Sequence, residues 1–368
     1  MPPRTEEAPS GREQRILEII ETTRAKRPKF KGNQVTMAHG AGGKATQTLI
    51  EGLLVPAFDP HENGLAAMAD SGQVTIDGTG LAITTDSFVV KPLTFPGGSI
   101  GELAVNGTVN DLAMAGAKPR AITIGLILEE GTSAKVLRAE VEAIASASAA
   151  AGVEIVAGDT KVVERGHCDG MYINTTGVGA IDPRAALSPA ALRPGDQVIV
   201  SGTIGEHGTA IMLSRDDFEL DADIESDTQP LWDAADALLD AAGPDLRCMR
   251  DATRGGVATV LNELARASEV AVVCREGDVP VRPDVAGAAE LLGIDPMYIA
   301  NEGRFVAFVG PESTDAALAA LRAVPGCEGA ALIGEVKTEP PGMVLVETAF
   351  GGKRVMDLLA GDPLPRIC

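Results

Sequence analysis

The sequence predicts an α+β protein of two domains. The chain has 368 residues, about the length of two domains of ordinary size. From residue 35 onward, segments typical of strands alternate with segments typical of helices. Apolar residues make up 45% of the chain, which is ample for two cores, but only 3% are aromatic, so packing depends on Ala, Val, Leu and Ile. The predicted units are an N-terminal extension (1–34), a first domain (35–185), a second domain (186–350) and a C-terminal tail (351–368).

The composition excludes several classes of protein. A net charge of −21, from 31 basic and 52 acidic residues, argues against a nucleic acid or an anionic membrane surface as the main partner. No apolar run reaches the ~18 residues of a membrane span, and residues 1–34 lack the apolar core of a secretory signal. The five cysteines include no C-x-x-C pair, which indicates neither a zinc knuckle nor a disulfide framework. We therefore expect a cytoplasmic protein.

A glycine-rich turn precedes the first predicted strand. In the N-terminal extension, three isoleucines at helical spacing (Ile16, Ile19 and Ile20) favour an amphipathic helix over 11–26. The turn comprises His39, Gly40, Ala41, Gly42 and Gly43 and leads into a predicted helix, 45–54. It differs from a Walker P-loop, which needs four residues between its glycines and a Ser or Thr after the Lys. It is either a backbone cradle for phosphate or a plain tight turn.

Two acids lie at the ends of predicted strands. A strand at 81–85 leads directly to Asp86, and Asp70 lies one strand earlier. A carboxylate at the end of a strand suits a metal site, because the sheet fixes its position. Next, the pattern S-x-x-E from Ser99 predicts a capped helix that begins at Ile100 and ends before Gly116.

That helix carries a polar pair, Asn110 and Asp111, among small and apolar residues. Leu103, Gly107, Asn110 and Met114 recur at steps of three and four, which puts Asn110 on a packed face. A buried polar group needs a partner. We expect an Mg²⁺–phosphate cluster to supply it, since Mg²⁺ prefers oxygen ligands and bridges to substrate phosphates.

The rest of the first domain repeats this pattern of acids at fixed positions. The predicted elements are a strand (121–128), a helix (133–151) and two further strands (153–157 and 171–180). Gly158 is expected to break the strand at 153–157, which leaves Asp159 at the end of that strand with the cation of Lys161 beside it. The repetition predicts a magnesium site formed by Asp86, Asp111 and Asp159.

The second domain opens with the turn RPGD at 193–196. Its clearest predicted elements are strands at 197–200, 304–309 and 343–347 and a helix at 257–267. His207 lies in a glycine-rich turn and is interpreted as structural. The helix presents its amino end as an anion site, with Arg250 and Arg254 nearby. Glu302 lies in the loop before the strand at 304–309.

The chain ends in a thiol, Cys368, which is unusual for a mobile terminus that is open to oxidation. Pro363 and Pro365 favour an extended chain before it. About seven extended residues span at most ~25 Å, enough to carry the thiol from a domain surface into a cleft. Taken alone, the tail favours a disordered segment with a chance terminal cysteine.

Together these motifs resemble the HypE family of hydrogenase maturation proteins, the carbamoyl dehydratases of NiFe-hydrogenase cyanide-ligand synthesis. The resemblance spans 39–368, and the terminal tetrapeptide is its most specific mark. It implies a two-domain PurM-like (aminoimidazole ribonucleotide synthetase-like) fold with a flexible C-terminal tail, shared with selenophosphate synthetase and thiamine-monophosphate kinase. The motifs that carry it are HGAGG (39–43), TTDS (84–87), FPGG (95–98), LAVNGTVNDL (103–112), ILEEG (127–131), GDTKVV (158–163), MRDATRGG (249–256), NEG (301–303) and PRIC (365–368).

The resemblance implies an enzyme that uses ATP and Mg²⁺ to dehydrate a carbamoyl group on Cys368 to a thiocyanate. It implies HypF as the carbamoyl donor, the HypC–HypD complex as the cyanide acceptor, and a homodimer through the first domains with ATP near that interface. Glu302 and Lys161 are the implied proton-handling residues, although a charged Lys161 would instead steady phosphate oxygens. The residues implied to bind ATP are His39, Gly40, Gly42, Gly43, Asp70, Asp86, Asn110, Asp111 and Asp159.

One position departs from the family pattern, and two alternatives stay open. The PGG motif commonly continues with Asp or Asn, whereas here it continues with Ser99, which keeps the capping role. The first alternative is a small-molecule ATP-dependent synthetase or kinase of the same fold. Selenophosphate synthetases carry their reactive residue near the amino terminus, and no cysteine precedes Cys168. The second alternative is a non-catalytic maturation docking module that uses the terminal thiol.

Overall fold

The computed structural model describes residues 30, 33–40, 42–59, 69–215, 223–359 and 367–368. The helix expected at 11–26 and the tail residues 360–366 lie outside the described residues. Within the described ranges, each helix is too short or too polar to cross a lipid bilayer.

The first domain is built on a five-stranded mixed sheet. Its strands in chain order are β1 (Gly72–Ile76), β2 (Thr79–Phe88), β3 (Thr94–Phe95), β4 (Gly98–Ser99), β5 (Ala117–Glu129), β6 (Glu154–Val163) and β7 (Met171–Ile181). β3 and β4 form a separate two-stranded ribbon, and the others are arranged in the order β1-β2-β7-β5-β6. β5 and β6 run parallel, whereas the other neighbours in the sheet run antiparallel.

Two long helices cover one face of this sheet. The helices of this part of the chain are α1 (Lys44–Leu49), continued by a π-helical turn (Ile50–Leu54) and α2 (Val55–Phe58), then α3 (Ile100–Met114) and α4 (Ala134–Ala151). α3 packs against β2, β5, β7 and α4. Because side chains alternate along a strand, Ala82, Thr84 and Phe88 of β2 are buried beneath α3, whereas Ile83 on the other face is 40% exposed. The opposite face of the sheet therefore carries exposed apolar side chains.

Three elements of the first domain extend beyond their predicted bounds. The helix expected at 45–54 covers 44–58, and Asp86 lies inside β2 rather than after it. The prediction that Gly158 ends a strand is wrong, because β6 continues to Val163. A Cβ at Gly158 would lie 2.8 Å from the carbonyl oxygen of Ile124. Glycine at this position allows two strands to approach closely rather than ending one of them.

The capping box at the start of α3 is only half formed. Ser99 is the N-cap residue, but its side chain makes no capping hydrogen bond. Its Oγ is buried and has no partner among the described residues. Glu102 does accept a hydrogen bond from the Ser99 backbone N–H. The expected capping role of the Ser99 hydroxyl is therefore wrong, while the role of Glu102 is confirmed.

The second domain contains a seven-stranded sheet with helices on both faces. Its strands are β8 (Gln197–Val200), β9 (Leu246–Asp251), β10 (Ala271–Arg275), β11 (Phe305–Val309), β12 (Ala331–Lys337), β13 (Met343–Glu347) and β14 (Lys353–Met356), arranged β14-β13-β10-β12-β8-β11-β9. Its helices are α5 (Glu206–Leu213), α6 (Trp232–Ala242), α7 (Gly256–Ala267), α8 (Pro283–Leu292) and α9 (Thr314–Arg322). α7 packs into the core on one face, and α6 and α9 pack into the core on the other. The segment expected as a tail, 351–368, therefore begins with a strand of this sheet.

The two domains meet along α3. This helix packs against β9 and α6 of the second domain. Asn110, which is 1% exposed, donates from Nδ2 to the carbonyl oxygens of Gln229 (3.0 Å) and Glu302 (3.1 Å). Its Oδ1 accepts from the backbone N–H of Leu231 at 2.8 Å. The expectation that an Mg²⁺–phosphate cluster satisfies Asn110 is wrong, because backbone groups of the second domain occupy its side-chain amide.

The segment before the first sheet also contacts the second domain. Lys44 Nζ lies 2.8 Å from Asp357 Oδ2, and Arg266 Nη1 donates to Gln47 Oε1 at 3.0 Å. These contacts hold α1 against the C-terminal end of α7, while the glycine-rich turn itself contacts Arg254, just before α7 begins. This brings a predicted phosphate cradle to the junction between the domains.

Candidate active site

A cluster of three carboxylates lies at the junction of the domains. Asp70 precedes β1, Asp111 lies on α3, and Asp251 ends β9. One oxygen atom from each carboxylate lies within 4.8 Å of the others. The hydroxyl of Thr84 donates to Asp111 Oδ2 at 2.6 Å, and Arg250 Nε lies 2.5 Å from Asp70 Oδ1.

The cluster is an electrostatically strained group of acids. Burial, followed by the neighbouring Asp251 and Asp70 carboxylates, raises the pKa of Asp111 well above its usual value. Burial also raises the pKa of Asp70, although the guanidinium of Arg250 opposes the shift. Burial is likewise the main reason that the pKa of Asp251 rises to about 6. Closely spaced buried carboxylates that resist ionisation favour binding of a cation, and oxygen donors are the ligands that Mg²⁺ prefers.

Asp86 lies beside this cluster and connects it to Arg254. Its Oδ1 accepts from the Ser87 backbone N–H at 2.7 Å and lies 3.7 Å from Arg254 Nη2. Burial raises the pKa of Asp86, and its charge in turn contributes to the raised pKa of Asp111. The predicted acids Asp70, Asp86 and Asp111 are therefore neighbours in one site.

Asp159 and Lys161 lie elsewhere in the chain's structure. Both belong to β6, and their side chains are 70% and 69% exposed. Lys161 Nζ lies 2.6 Å from Asp159 Oδ2. Asp159 is in register with Gly125, Asn174 and Ser87 on successive strands. Three strand spacings place it roughly 14 Å from the strand that carries Asp86. Within one chain, the structure does not bring Asp159 into the predicted magnesium set, and Asp251 takes that position.

The glycine-rich turn lies over Arg254. Arg254 Nη1 donates to the Gly40 carbonyl oxygen at 3.2 Å. Gly42 has a positive φ of 77°, and a Cβ there would lie 2.9 Å from the Arg254 carbonyl oxygen, so that only glycine fits without strain. Gly43 is the N-cap residue of α1, whereas His39 contacts Thr36 and is partly exposed. The turn thus borders the site through backbone groups.

The end of the chain also lies in this site. The Cys368 thiol makes a hydrogen bond with the Glu302 carboxyl, and both lie close to Arg254 and Asp86. A backbone oxygen of Cys368 accepts from the Val89 backbone N–H at 3.1 Å. Burial raises the pKa of the Cys368 thiol well above its ordinary value; the positive charge of Arg254 opposes that shift, and the Glu302 carboxyl adds to it.

Glu302 is a buried acid whose environment favours the protonated form. It is 3% exposed, and its Oε1 has no hydrogen-bond partner among the described residues. Burial and then the negative charges of Asp86 and Asp251 raise its pKa well above the usual value. A carboxyl group with a raised pKa is a stronger base than an ordinary carboxylate once it is ionised.

Sequence reasoning missed several groups of this site. Asp251 belongs to the motif MRDATRGG and closes a strand, which is the signal that had identified Asp70 as a candidate. Arg254 was interpreted only as an anion contact at the start of α7. The backbone N–H of Val89 has no sequence signal. His207 was interpreted as structural, and its Nε2 lies 2.6 Å from the Ile367 carbonyl oxygen.

Comparison with known proteins gives consistent matches over most of the chain. The N-terminal domain model of AIR synthase related proteins matches residues 68–181, and the C-terminal domain model matches residues 193–346. The carbamoyl dehydratase HypE of Rhodobacter capsulatus is 48% identical over 92% of this chain and 99% of its own length. The carbamoyl dehydratase HypE of Escherichia coli is 44% identical over 91% of this chain and 100% of its own length.

Solved structures that resemble this chain belong to the same family as the relatives above or share its fold. A HypE–HypF complex matches with a TM-score of 0.80 and 42% identity over 84% of this chain and 99% of the matched chain. HypE in complex with ATP matches with a TM-score of 0.76 and 43% identity over 91% of this chain and 100% of the other. A thiamine monophosphate kinase from Aquifex aeolicus matches with a TM-score of 0.61 and 18% identity over 82% of this chain and 96% of the other, a likeness of fold alone.

Proposed function

This chain belongs to the family of the carbamoyl dehydratase HypE, and on that premise we propose that it dehydrates a carbamoyl group carried on its own Cys368 in an ATP-dependent reaction. The product is a thiocyanate on the same sulfur, which supplies cyanide ligands for the iron of NiFe-hydrogenase. The observation that carries the proposal is the position of the terminal thiol. It lies against Glu302 and close to Arg254 and Asp86, at the junction that also holds the carboxylate cluster.

The chemistry begins with the oxygen of the carbamoyl group, S–C(=O)–NH₂, which is a poor leaving group. That oxygen attacks the γ-phosphorus of ATP, ADP leaves, and one nitrogen proton is lost, giving S–C(–O–phosphate)=NH. Removal of the second nitrogen proton then breaks the C–O bond, releases phosphate and leaves S–C≡N. The net change is the loss of one water from the carbamoyl group and the hydrolysis of ATP to ADP and phosphate.

Glu302 is the residue we assign to proton removal. It is already in hydrogen-bond contact with the sulfur that carries the group, and its raised pKa strengthens it as a base. Arg254 lies close to the thiol and near Asp86, where a fixed positive charge would stabilise phosphate oxygens that develop charge. These two residues would act from the second domain on a group bound between both domains.

The carboxylate cluster fits a magnesium ion. Asp70, Asp111 and Asp251 offer oxygen donors within 4.8 Å of one another, with Asp86 adjacent. When bound, Mg²⁺ would neutralise charge on the triphosphate and help to orient it. The backbone of the glycine-rich turn, with Gly40 and Gly42 against Arg254, supports a phosphate site beside this cluster.

We further propose a homodimer formed through the open face and edge of the first sheet. Every residue of β6 except Val163 is exposed, including the apolar side chains of Val156 and Val162. Asp159 and Lys161 project from this strand, so a second copy docked there would receive them. In that arrangement Lys161 would reach the site of the neighbouring chain and steady the phosphate oxygens. Lys161 and Asp159 are thus assigned to the dimer rather than to the single-chain site.

Two partners follow from the carrier role of Cys368. The match to a HypE–HypF complex supports HypF as the donor of the carbamoyl group. We propose the HypC–HypD complex as the acceptor of the cyanide, because a group carried on a tail must be delivered elsewhere. The cytoplasmic location stays a prediction and agrees with the five described cysteines, all of which are free thiols.

The test separates loading from dehydration. The full chain is first carbamoylated by HypF, purified, and then given Mg²⁺ and ATP while its intact mass is followed. We expect the mass to fall by one water and peptide mapping to find the cyano group on Cys368. Cys368→Ala should bind ATP but carry neither adduct, and Cys168→Ala, which removes the other partly buried thiol, should carry both.

Two results would overturn the proposal: a cyano group mapped to another cysteine, or thiocyanate formation by Cys368→Ala. The two alternatives left by the sequence, a small-molecule kinase of the same fold and a non-catalytic docking module, both predict that the carbamoylated protein keeps its mass when ATP is added.

A further inference from the structure

The last two residues of the chain occupy a built receptor. The Ile367 side chain is 5% exposed and belongs to a core cluster that includes Phe88, Phe95 and Ile299. The backbone oxygens of both residues are held: His207 Nε2 lies 2.6 Å from the Ile367 carbonyl oxygen, and the Val89 backbone N–H donates to a backbone oxygen of Cys368. Anchoring one side chain and two successive backbone oxygens fixes the direction in which the Cys368 side chain leaves the backbone.

His207 has a defined tautomer in this receptor. A carbonyl oxygen only accepts hydrogen bonds, so Nε2 carries the proton that it donates to Ile367. Nδ1 then accepts from the Ser226 hydroxyl at 2.8 Å, and that hydroxyl oxygen accepts from the Thr228 N–H at 3.2 Å. Burial lowers the pKa of His207 to about 4, which keeps the ring neutral. The chain of bonds therefore points one donor at the tail.

The FPGG motif holds this histidine in place. The Phe95 ring meets the His207 ring edge-on, with centroids 5.6 Å apart. The Pro96 carbonyl oxygen accepts from the Ser226 N–H at 2.8 Å. Gly97 has a φ of 82°, and a Cβ there would lie 2.7 Å from the Ser226 nitrogen. A motif that carries no reacting group thus supports the residue that contacts the tail.

We propose that His207 is a positioning residue whose Nε2–H sets the register of the C-terminal tail, and that breaking this bond releases Cys368 for loading. The part that concerns dehydration rests on the proposed function. The part that concerns docking of the tail does not, since it requires only that residues 367–368 leave and return. His207 does not touch the reacting atoms and acts through the Ile367 carbonyl.

The test uses variants of the full chain that keep or remove the donor. His207→Leu removes it, whereas His207→Gln presents a side-chain N–H at a similar reach. Ser226→Ala removes only the hydroxyl that orients the ring, at a partly exposed position. His167→Gln changes an exposed histidine in the segment between β6 and β7 and serves as the control. The rate of alkylation of Cys368 is measured by peptide mapping, and single-turnover dehydration is measured on carbamoylated protein.

We expect opposite changes in the two rates. Loss of one buried hydrogen bond should raise the alkylation rate of Cys368 in His207→Leu by about fivefold to tenfold, while the dehydration rate falls. Ser226→Ala should change both rates in the same directions by less, and both His207→Gln and His167→Gln should resemble the parent chain. A merely structural histidine would lower dehydration without changing thiol reactivity.

An alkylation rate in folded His207→Leu equal to that of the parent chain would overturn the proposal. If His207→Leu fails to fold, parent-like alkylation in Ser226→Ala together with loss of dehydration in folded His207→Gln would overturn it. Faster alkylation with no thiocyanate formed by any chain, the parent included, would support the docking role and reject the proposed function instead.

Discussion

Replacing Asn110 with Ala tests whether this residue joins the domains or binds the nucleotide. Its side chain makes three hydrogen bonds with the second domain, at 3.0, 3.1 and 2.8 Å. At about 1 kcal/mol for each bond, their loss should lower the free energy of unfolding by about 3 kcal/mol. The backbone groups of Glu302 and Leu231, which are buried, and of Gln229, which is partly buried, would lose these partners, so an effect much below about 3 kcal/mol would disagree with the structure.

The assay is urea unfolding followed by the fluorescence of Trp232, the single tryptophan of the chain, which begins α6 next to Leu231. Asn106→Ala is the matched control. Asn106 lies one turn earlier on α3 and makes one hydrogen bond across the junction, to Thr228 Oγ1 at 3.1 Å. It should therefore cost about 1 kcal/mol or less. Mg²⁺-ATP affinity is measured on both variants by calorimetry.

One result would refute the reasoning. If the free energy of unfolding of Asn110→Ala lies within about 1 kcal/mol of that of the parent chain, and the main defect of the variant is a loss of affinity for Mg²⁺-ATP, then Asn110 is a ligand of the nucleotide. The hydrogen bonds to the second domain would then contribute little to holding the domains together.

Three further predictions follow from the charges of the site. Glu302→Gln should abolish thiocyanate formation. It should also stabilise the fold at neutral and alkaline pH, because the folded state raises the pKa of Glu302 and the parent chain therefore loses stability as pH rises through that folded pKa, whereas the amide of Gln does not ionise. The pH dependence of the urea midpoint measures this difference. Affinity for Mg²⁺-ATP should fall as pH drops through about 6, where protons compete with the ion for Asp251, and Asp251→Asn should flatten this dependence in calorimetry; an equally steep dependence in the variant would contradict the assignment. Lys161→Ala should slow dehydration by about a hundredfold, because the neighbouring chain would lose the positive charge that steadies the phosphate oxygens. An unchanged rate would remove Lys161 from the chemistry.

The sequence alone identifies much of this architecture, because its signals are local. The periodicity of α3 at steps of three and four correctly predicts that Asn110 is buried. Asp70 and Asp111 could be chosen from their places near a strand and on a packed helix, without knowledge of their neighbours. Cys368 could be singled out because a thiol at a mobile chain end is unusual, and the structure places it beside Asp86 and Glu302.

The errors concern which partner satisfies a buried group. Burial of Asn110 was correctly predicted, but one helix pattern carries no information on whether a ligand or another domain meets that face. Gly158 has the same ambiguity, because a glycine that ends a strand and a glycine that allows two strands to approach are identical in sequence. Asp159 was assigned to the cluster for that reason. Asp251, from a domain 140 residues further along the chain than Asp111, requires the tertiary fold to be recognised as its neighbour.

The seated position of Cys368 has a consequence for survival of the protein in air. Oxidants such as peroxide attack the thiolate, and inside the cleft burial keeps the sulfur in its protonated form. Damage should therefore accumulate in proportion to the time that the terminus spends outside the cleft, so that an enzyme waiting for its carbamoyl donor is protected for as long as residues 367–368 stay docked.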